Sequence, residues 1–99
     1  MIATPDIATK QLTSDEERAL IALTPKYKVI LHNDEVHNMH EVMEALMKGA
    51  YLTAQQAELV MKEAHDTGKA IVAIKPREVA ELYKERLETF TLTISLERD

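Results

Sequence analysis

The stretch Phe90-Thr91-Leu92-Thr93-Ile94-Ser95-Leu96 sets four apolar residues alternately against three hydroxyl residues. Successive side chains of a strand point to opposite faces, so a strand here has one apolar face and one polar face. That pattern belongs to an antiparallel sheet packed on one side and wetted on the other. The rest of the chain must supply the covering layer.

Two further segments read as strands. Tyr27, Val29 and Leu31 alternate with Lys28 and Ile30, and Ala70-Ile71-Val72-Ala73-Ile74 is short and continuously apolar. Between them the period changes to that of helices. Asn38 is placed to cap a first helix with Glu41 completing a capping box, and Met39, Val42, Met43 and Leu46 form its apolar stripe. Gly49 is expected to end it. Thr53 and Gln56 form a second box ahead of the Ala57, Val60, Met61 and Ala64 stripe, and Gly68 suits a left-handed cap. Pro76 fits the first position of a third helix, whose Glu78 favours its positive end and whose inner face would be Val79, Leu82, Tyr83 and Leu87. The order β-α-α-β-α-β predicts an α+β two-layer sandwich: a three-stranded antiparallel sheet with three helices on one face.

At 99 residues the chain is long enough for one domain and one modest core. Residues 26–99 form that domain. Residues 1–25, with Pro5 and Pro25 and no sustained period, are expected to be a mobile N-terminal extension. Within them Ser14-Asp15-Glu16-Glu17 has capping-box form and could start a short helix. A formal charge of −5 argues against binding a phosphate backbone, and no apolar run approaches a membrane span. Neither a signal nor a transit peptide fits the N-terminus. The lack of cysteine excludes a thiol nucleophile and is consistent with a cytoplasmic setting.

Chemistry-bearing residues are few. Asn33-Asp34 stands where a strand gives way to a helix, a place where those residues either make the turn or serve a ligand. His32, His37, His40 and His65 are surface histidines or, through the His37/His40 spacing, metal ligands, although no zinc motif accompanies them. Met39, Met43, Met47 and Met61 fill a core or line a surface that accepts several apolar shapes. With only Gly49 and Gly68, a phosphate-cradling loop is hard to build. The residues alone define a small acidic α+β binding domain.

Three motifs carry a resemblance. Tyr27-Lys28-Val29-Ile30-Leu31-His32-Asn33-Asp34 with Met39, the run from Val60 to Ala70 containing His65 and Gly68-Lys69-Ala70, and Glu78-Val79-Ala80-Glu81 together resemble the ClpS family across residues 26–97. The resemblance implies a non-enzymatic adaptor, without a cofactor or metal. It would bind proteins with bulky hydrophobic N-terminal residues (N-degrons such as Leu, Phe, Tyr or Trp) and deliver them to a Clp AAA+ unfoldase-peptidase. It implies that Asn33, Asp34 and His65 hold the α-amino group and that Met39, Val42, Met61, Ala64 and Leu92 line the side-chain pocket. Glu35 and His37 would meet the second residue or its backbone. Glu78 and Lys84 would dock on the N-terminal domain of a ClpA- or ClpC-type unfoldase. Ala64 stands where the family usually has a larger aliphatic residue, and the smaller side chain would either deepen the pocket or let a neighbour fill it. The expected partners include neither nucleic acid nor membrane, and the expected state is a monomer. The competing reading is a ribosomal-stalk-like interaction module of the same topology without an N-degron pocket.

Overall fold

The computed structural model describes residues 12–99. Helix α1 (Ser14–Leu23) is followed by strand β1 (Lys26–His32), helices α2 (Met39–Gly49) and α3 (Ala54–Thr67), strand β2 (Lys69–Pro76), helix α4 (Arg77–Glu88) and strand β3 (Thr93–Arg98). The strand order is β2-β1-β3, and both pairings are antiparallel. This is the expected α+β sandwich, preceded by α1.

The sheet turns Val29 and Leu31 of β1, Ala70 and Val72 of β2, and Ile94 of β3 into one core with Leu46 and Leu87 from the helices. Ala45, Ala57, Ala64 and Ala80 are also buried there, and their small side chains let the helices approach the sheet closely. A bulge interrupts β2: Val29 pairs with Ala73 but Ile30 with Ile71, so Val72 is the extra residue. Val72 stays in the core, and Ile71 and Ile74 are left exposed on the other face.

Several local expectations shift. The α1 cap is Thr13, not Ser14; its hydroxyl accepts from the Glu16 amide at 3.1 Å while Glu16 accepts from the Thr13 amide at 3.0 Å. All ten residues of α1 are exposed, so the helix rests on its cap and not on packing. Asn38 caps α2 through the Glu41 amide at 2.8 Å, without the return bond of a full box. Gly49 ends that helix as expected. It is the last helical residue, and Tyr51 takes the positive φ of 58°. Pro76 closes β2 and caps α4 instead of opening it. On α4 the buried positions are Ala80 and Leu87, with Val79 and Leu82 exposed, because the helix presents its smallest apolar residue to the sheet. Phe90 and Thr91 lie in the turn after α4, so β3 begins at Thr93. The Thr53–Gln56 box and the left-handed Gly68 cap, φ 96°, form as expected.

Candidate functional site

Strand β1 ends at His32, and the chain then turns through Asn33–Asn38 before α2 begins. The turn is organised by Asp34. Its Oδ1 accepts from the amides of Val36 at 3.0 Å and His37 at 2.9 Å, which folds the segment over the carboxylate. Asn33 is fixed from the opposite side, its amide donating to the Gly68 carbonyl at 2.9 Å. The left-handed cap of α3 thereby joins the end of that helix, which carries His65, to the loop that carries Asn33 and Asp34.

These elements border an open cavity of about 900 Å³. All ten residues expected at the ligand site line it: Asn33, Asp34, Glu35, His37 and His65, with Met39, Val42, Met61, Ala64 and Leu92. Helix α2 brings Met39 and Val42, α3 brings Met61, Ala64 and His65, and the chain entering β3 brings Leu92. Leu92 and Ala64 are buried at the cavity's base, Val42 and Met61 are half-buried, and Met39 is exposed. The cavity therefore combines apolar side chains with hydrogen-bond acceptors.

The electrostatics favour a cationic guest. Asp34, Glu35, Glu58 and Asp66 line the cavity against one lysine, Lys62. Burial alone would raise the Asp34 carboxyl. The His37 backbone amide, the His37 ring and the Val36 amide outweigh it and hold the carboxyl below its usual range. Asp34 is thus kept as an anion facing the cavity.

Leu31, Glu58, Lys62 and Asp66 also line the cavity, and none was among the expected site residues. Glu58, Met61, Lys62 and His65 follow an i, i+3, i+4, i+7 spacing, a second stripe on α3 beside its core stripe. That spacing is the signal that could have found Glu58 and Lys62. Of the histidines weighed as metal ligands, His37 and His40 do not converge. The His37 ring engages Asp34 and Thr91, while His40 is exposed beside Glu44 at 4.0 Å. Glu78 and Lys84 lie apart from the cavity on α4. Glu78 is exposed in the first turn, and Lys84 is paired with Glu88 at 3.0 Å.

A small α+β domain whose cavity sets carboxylates beside apolar side chains has the form of a binding module. Comparison with known proteins supplies the family. Residues 22–95 match the family model described as "ATP-dependent Clp protease adaptor protein ClpS". The chain is 45% identical over 75 residues to the ClpS adapter of Synechococcus sp. (strain CC9902), covering 75% of this chain and 72% of that protein. It is 35% identical over 94 residues to the ClpS adapter of Synechococcus elongatus, covering 94% of this chain and 99% of that one. The structure of Agrobacterium tumefaciens ClpS2 bound to L-phenylalaninamide superposes with a TM-score of 0.71 at 26% identity, covering 76% of this chain and 98% of that one. The chain belongs to the ClpS family, and its role is that of an adaptor of the Clp protease.

Proposed function

We propose that the cavity binds the free N-terminus of a protein whose first residue is bulky and apolar, for delivery to the Clp unfoldase-peptidase. The observation that carries this reading is the cavity itself, in which Asn33, Asp34 and His65 border the same space as Met39, Val42, Met61, Ala64 and Leu92. An N-terminal ammonium brings three donors and a positive charge, so its site needs acceptors and gains from anions. Asp34 supplies the carboxylate, Asn33 an amide oxygen and His65 a neutral ring nitrogen. Charge-assisted bonds contribute about 1.5–3 kcal/mol each, and burying a Leu or Phe side chain adds about 1.5–3 kcal/mol. After the cost of association, an affinity near micromolar follows, about −8 kcal/mol. Selectivity comes from the need to satisfy both ends at once.

The ligand in the Agrobacterium tumefaciens structure, L-phenylalaninamide, has this form: a free amine beside an aromatic side chain. Ala64, small and buried, leaves depth for such a ring. Glu35 and His37 border the outward path of the second residue. On the same reading Glu78, with Lys84, docks on the N-terminal domain of a ClpA- or ClpC-type unfoldase. Residues 1–25 serve as an extension in handover, and the adaptor works as a cytoplasmic monomer.

The test is fluorescence-anisotropy binding to otherwise identical peptides beginning with Leu, Phe, Tyr, Trp and Ala, each free or N-acetylated. Binding of bulky first residues that is lost on acetylation is the expected result. Equal binding of acetylated and free peptides would overturn the amine site.

A further inference from the structure

We infer that His37 is a positioning residue, a brace that ties the Asp34 carboxylate to Thr91 and so holds the amine site in its binding geometry. The inference rests on the reading of Asp34 as an amine ligand and deepens it. The His37 ring lies between two polar groups. Its Nδ1 is 2.8 Å from Asp34 Oδ2 and 3.0 Å from Oδ1, and its Nε2 is 2.6 Å from Thr91 Oγ1. An ionised carboxylate can only accept, so Nδ1 carries a proton and donates to Asp34. With both ring nitrogens occupied and the side chain only 9% exposed, His37 has no polar atom left for a bound peptide. Its ring instead connects two parts of the chain 54 residues apart, the loop after β1 and the turn into β3.

Thr91 is built to receive that connection. Its φ is 63°, the left-handed region that a β-branched residue rarely enters, and such strain persists only where surrounding contacts hold it. Its hydroxyl lies 2.6 Å from the Phe90 carbonyl as well as from the His37 ring. In the neutral ring the threonine hydroxyl donates to Nε2. If the ring takes a second proton, Nε2 donates to Thr91 and the hydroxyl turns to Phe90, so the bridge survives in either state. Leu92, the next residue, lines the apolar part of the cavity. The brace therefore fixes the amine site and the side-chain pocket relative to each other, and that relation is what a bulky N-terminal residue requires.

The experiment is a double-mutant cycle on the full chain, read by anisotropy with a free Phe-initiated peptide and its acetylated counterpart. His37→Ala is expected to weaken free-amine binding about tenfold, the scale of one lost charge-assisted bond, without creating affinity for the acetylated peptide. In an Asp34→Asn background, the same change should cost less than about twofold, because the carboxylate it positions is gone. His37→Asn, whose amide can donate from near the Nδ1 position, should recover most of the loss. Thr91→Val, which keeps the branched shape and removes the hydroxyl, should weaken binding a few fold with the denaturation midpoint nearly unchanged. An equal loss from His37→Ala in both backgrounds would mean that the ring acts on the ligand or on the fold generally and would overturn the brace. So would unchanged binding in His37→Ala and Thr91→Val. A wild-type chain that binds none of the peptides overturns the amine site and the brace together.

Discussion

At the scale of the residue, the Asp34 carboxyl is held down by donors from its own loop despite its burial, and that has a pH signature. Because its folded-state pKa is depressed, its stabilisation is fully present above the unfolded value of about 3.9 and is lost as pH falls through the lower folded value. Asp34→Asn should therefore be less stable than wild type at neutral pH, and urea titrations should show the gap closing below about pH 4. Equal stabilities at neutral pH would refute it. Asp34 also remains an anion well below neutral pH. Met39, at the rim and 68% exposed, is on the proposed reading a wall for the ligand's first side chain. Met39→Ala should narrow the spread of affinities among Leu, Phe, Tyr and Trp peptides while leaving sensitivity to acetylation intact. An unchanged spread would show that Met39 is not a wall of the pocket.

At the scale of the element, the two glycines are needed for different reasons. An added Cβ at Gly49 would meet Leu87 Cδ2 at 2.9 Å, and Leu87 is fully buried between α2, α4 and the sheet. Gly68 has open space around its Cα, but its φ of 96° is costly for any residue with a Cβ. Gly49→Ala gains about 0.5–1 kcal/mol of helix propensity and loses about 1–3 kcal/mol to overpacking, so urea denaturation should show a net destabilisation. Gly68→Ala should cost about 1 kcal/mol from backbone strain alone. It should also weaken amine binding, because the Gly68 carbonyl holds the Asn33 amide. Sequence reading found Gly68, where a helix period stops beside a glycine. Gly49 was legible as the end of its helix, but its close approach to a residue 38 positions away leaves no local sign. The left-handed turn fell to Tyr51, whose ring packs edge-on to Tyr83 at 6.2 Å and lies under the Arg86 guanidinium at 5.1 Å. On α4, Leu87 and Tyr83 face the core as expected, but Val79 and Leu82 were misplaced because they outrank Ala80 in hydrophobicity, whereas the sheet accepts the smaller side chain. The three strands and the core helices were legible because each has a clear period. The residues that border the cavity were singled out only through their resemblance to ClpS, and the Asp34–His37–Thr91 connection was not legible, because nothing in either segment signals the other.

At the scale of the whole molecule, the sheet separates the cavity from the proposed docking residue Glu78. β1 pairs Lys26 with Pro76 at one end and His32 with Lys69 at the other. The cavity opens beyond His32, whereas α4 and its Glu78 start just after Pro76. Seven strand residues at about 3.3 Å each place the two ends roughly 20 Å apart, well beyond the 7–10 Å within which substitutions usually couple. Helix α4 runs back along the sheet from the Glu78 end and delivers the chain through Phe90 and Thr91 to Leu92 in the cavity wall. On the proposed reading, docking at Glu78 and peptide binding in the cavity therefore use opposite ends of the sheet. Glu78→Arg should therefore weaken binding to the N-terminal domain of the Clp unfoldase at least tenfold and leave the peptide dissociation constant within about twofold. Asp34→Asn should do the reverse. Calorimetric titration of each variant with each partner distinguishes the cases. If Glu78→Arg altered peptide affinity as strongly as docking, the two ends would be coupled through α4, and release of the substrate could then be driven from the docking surface.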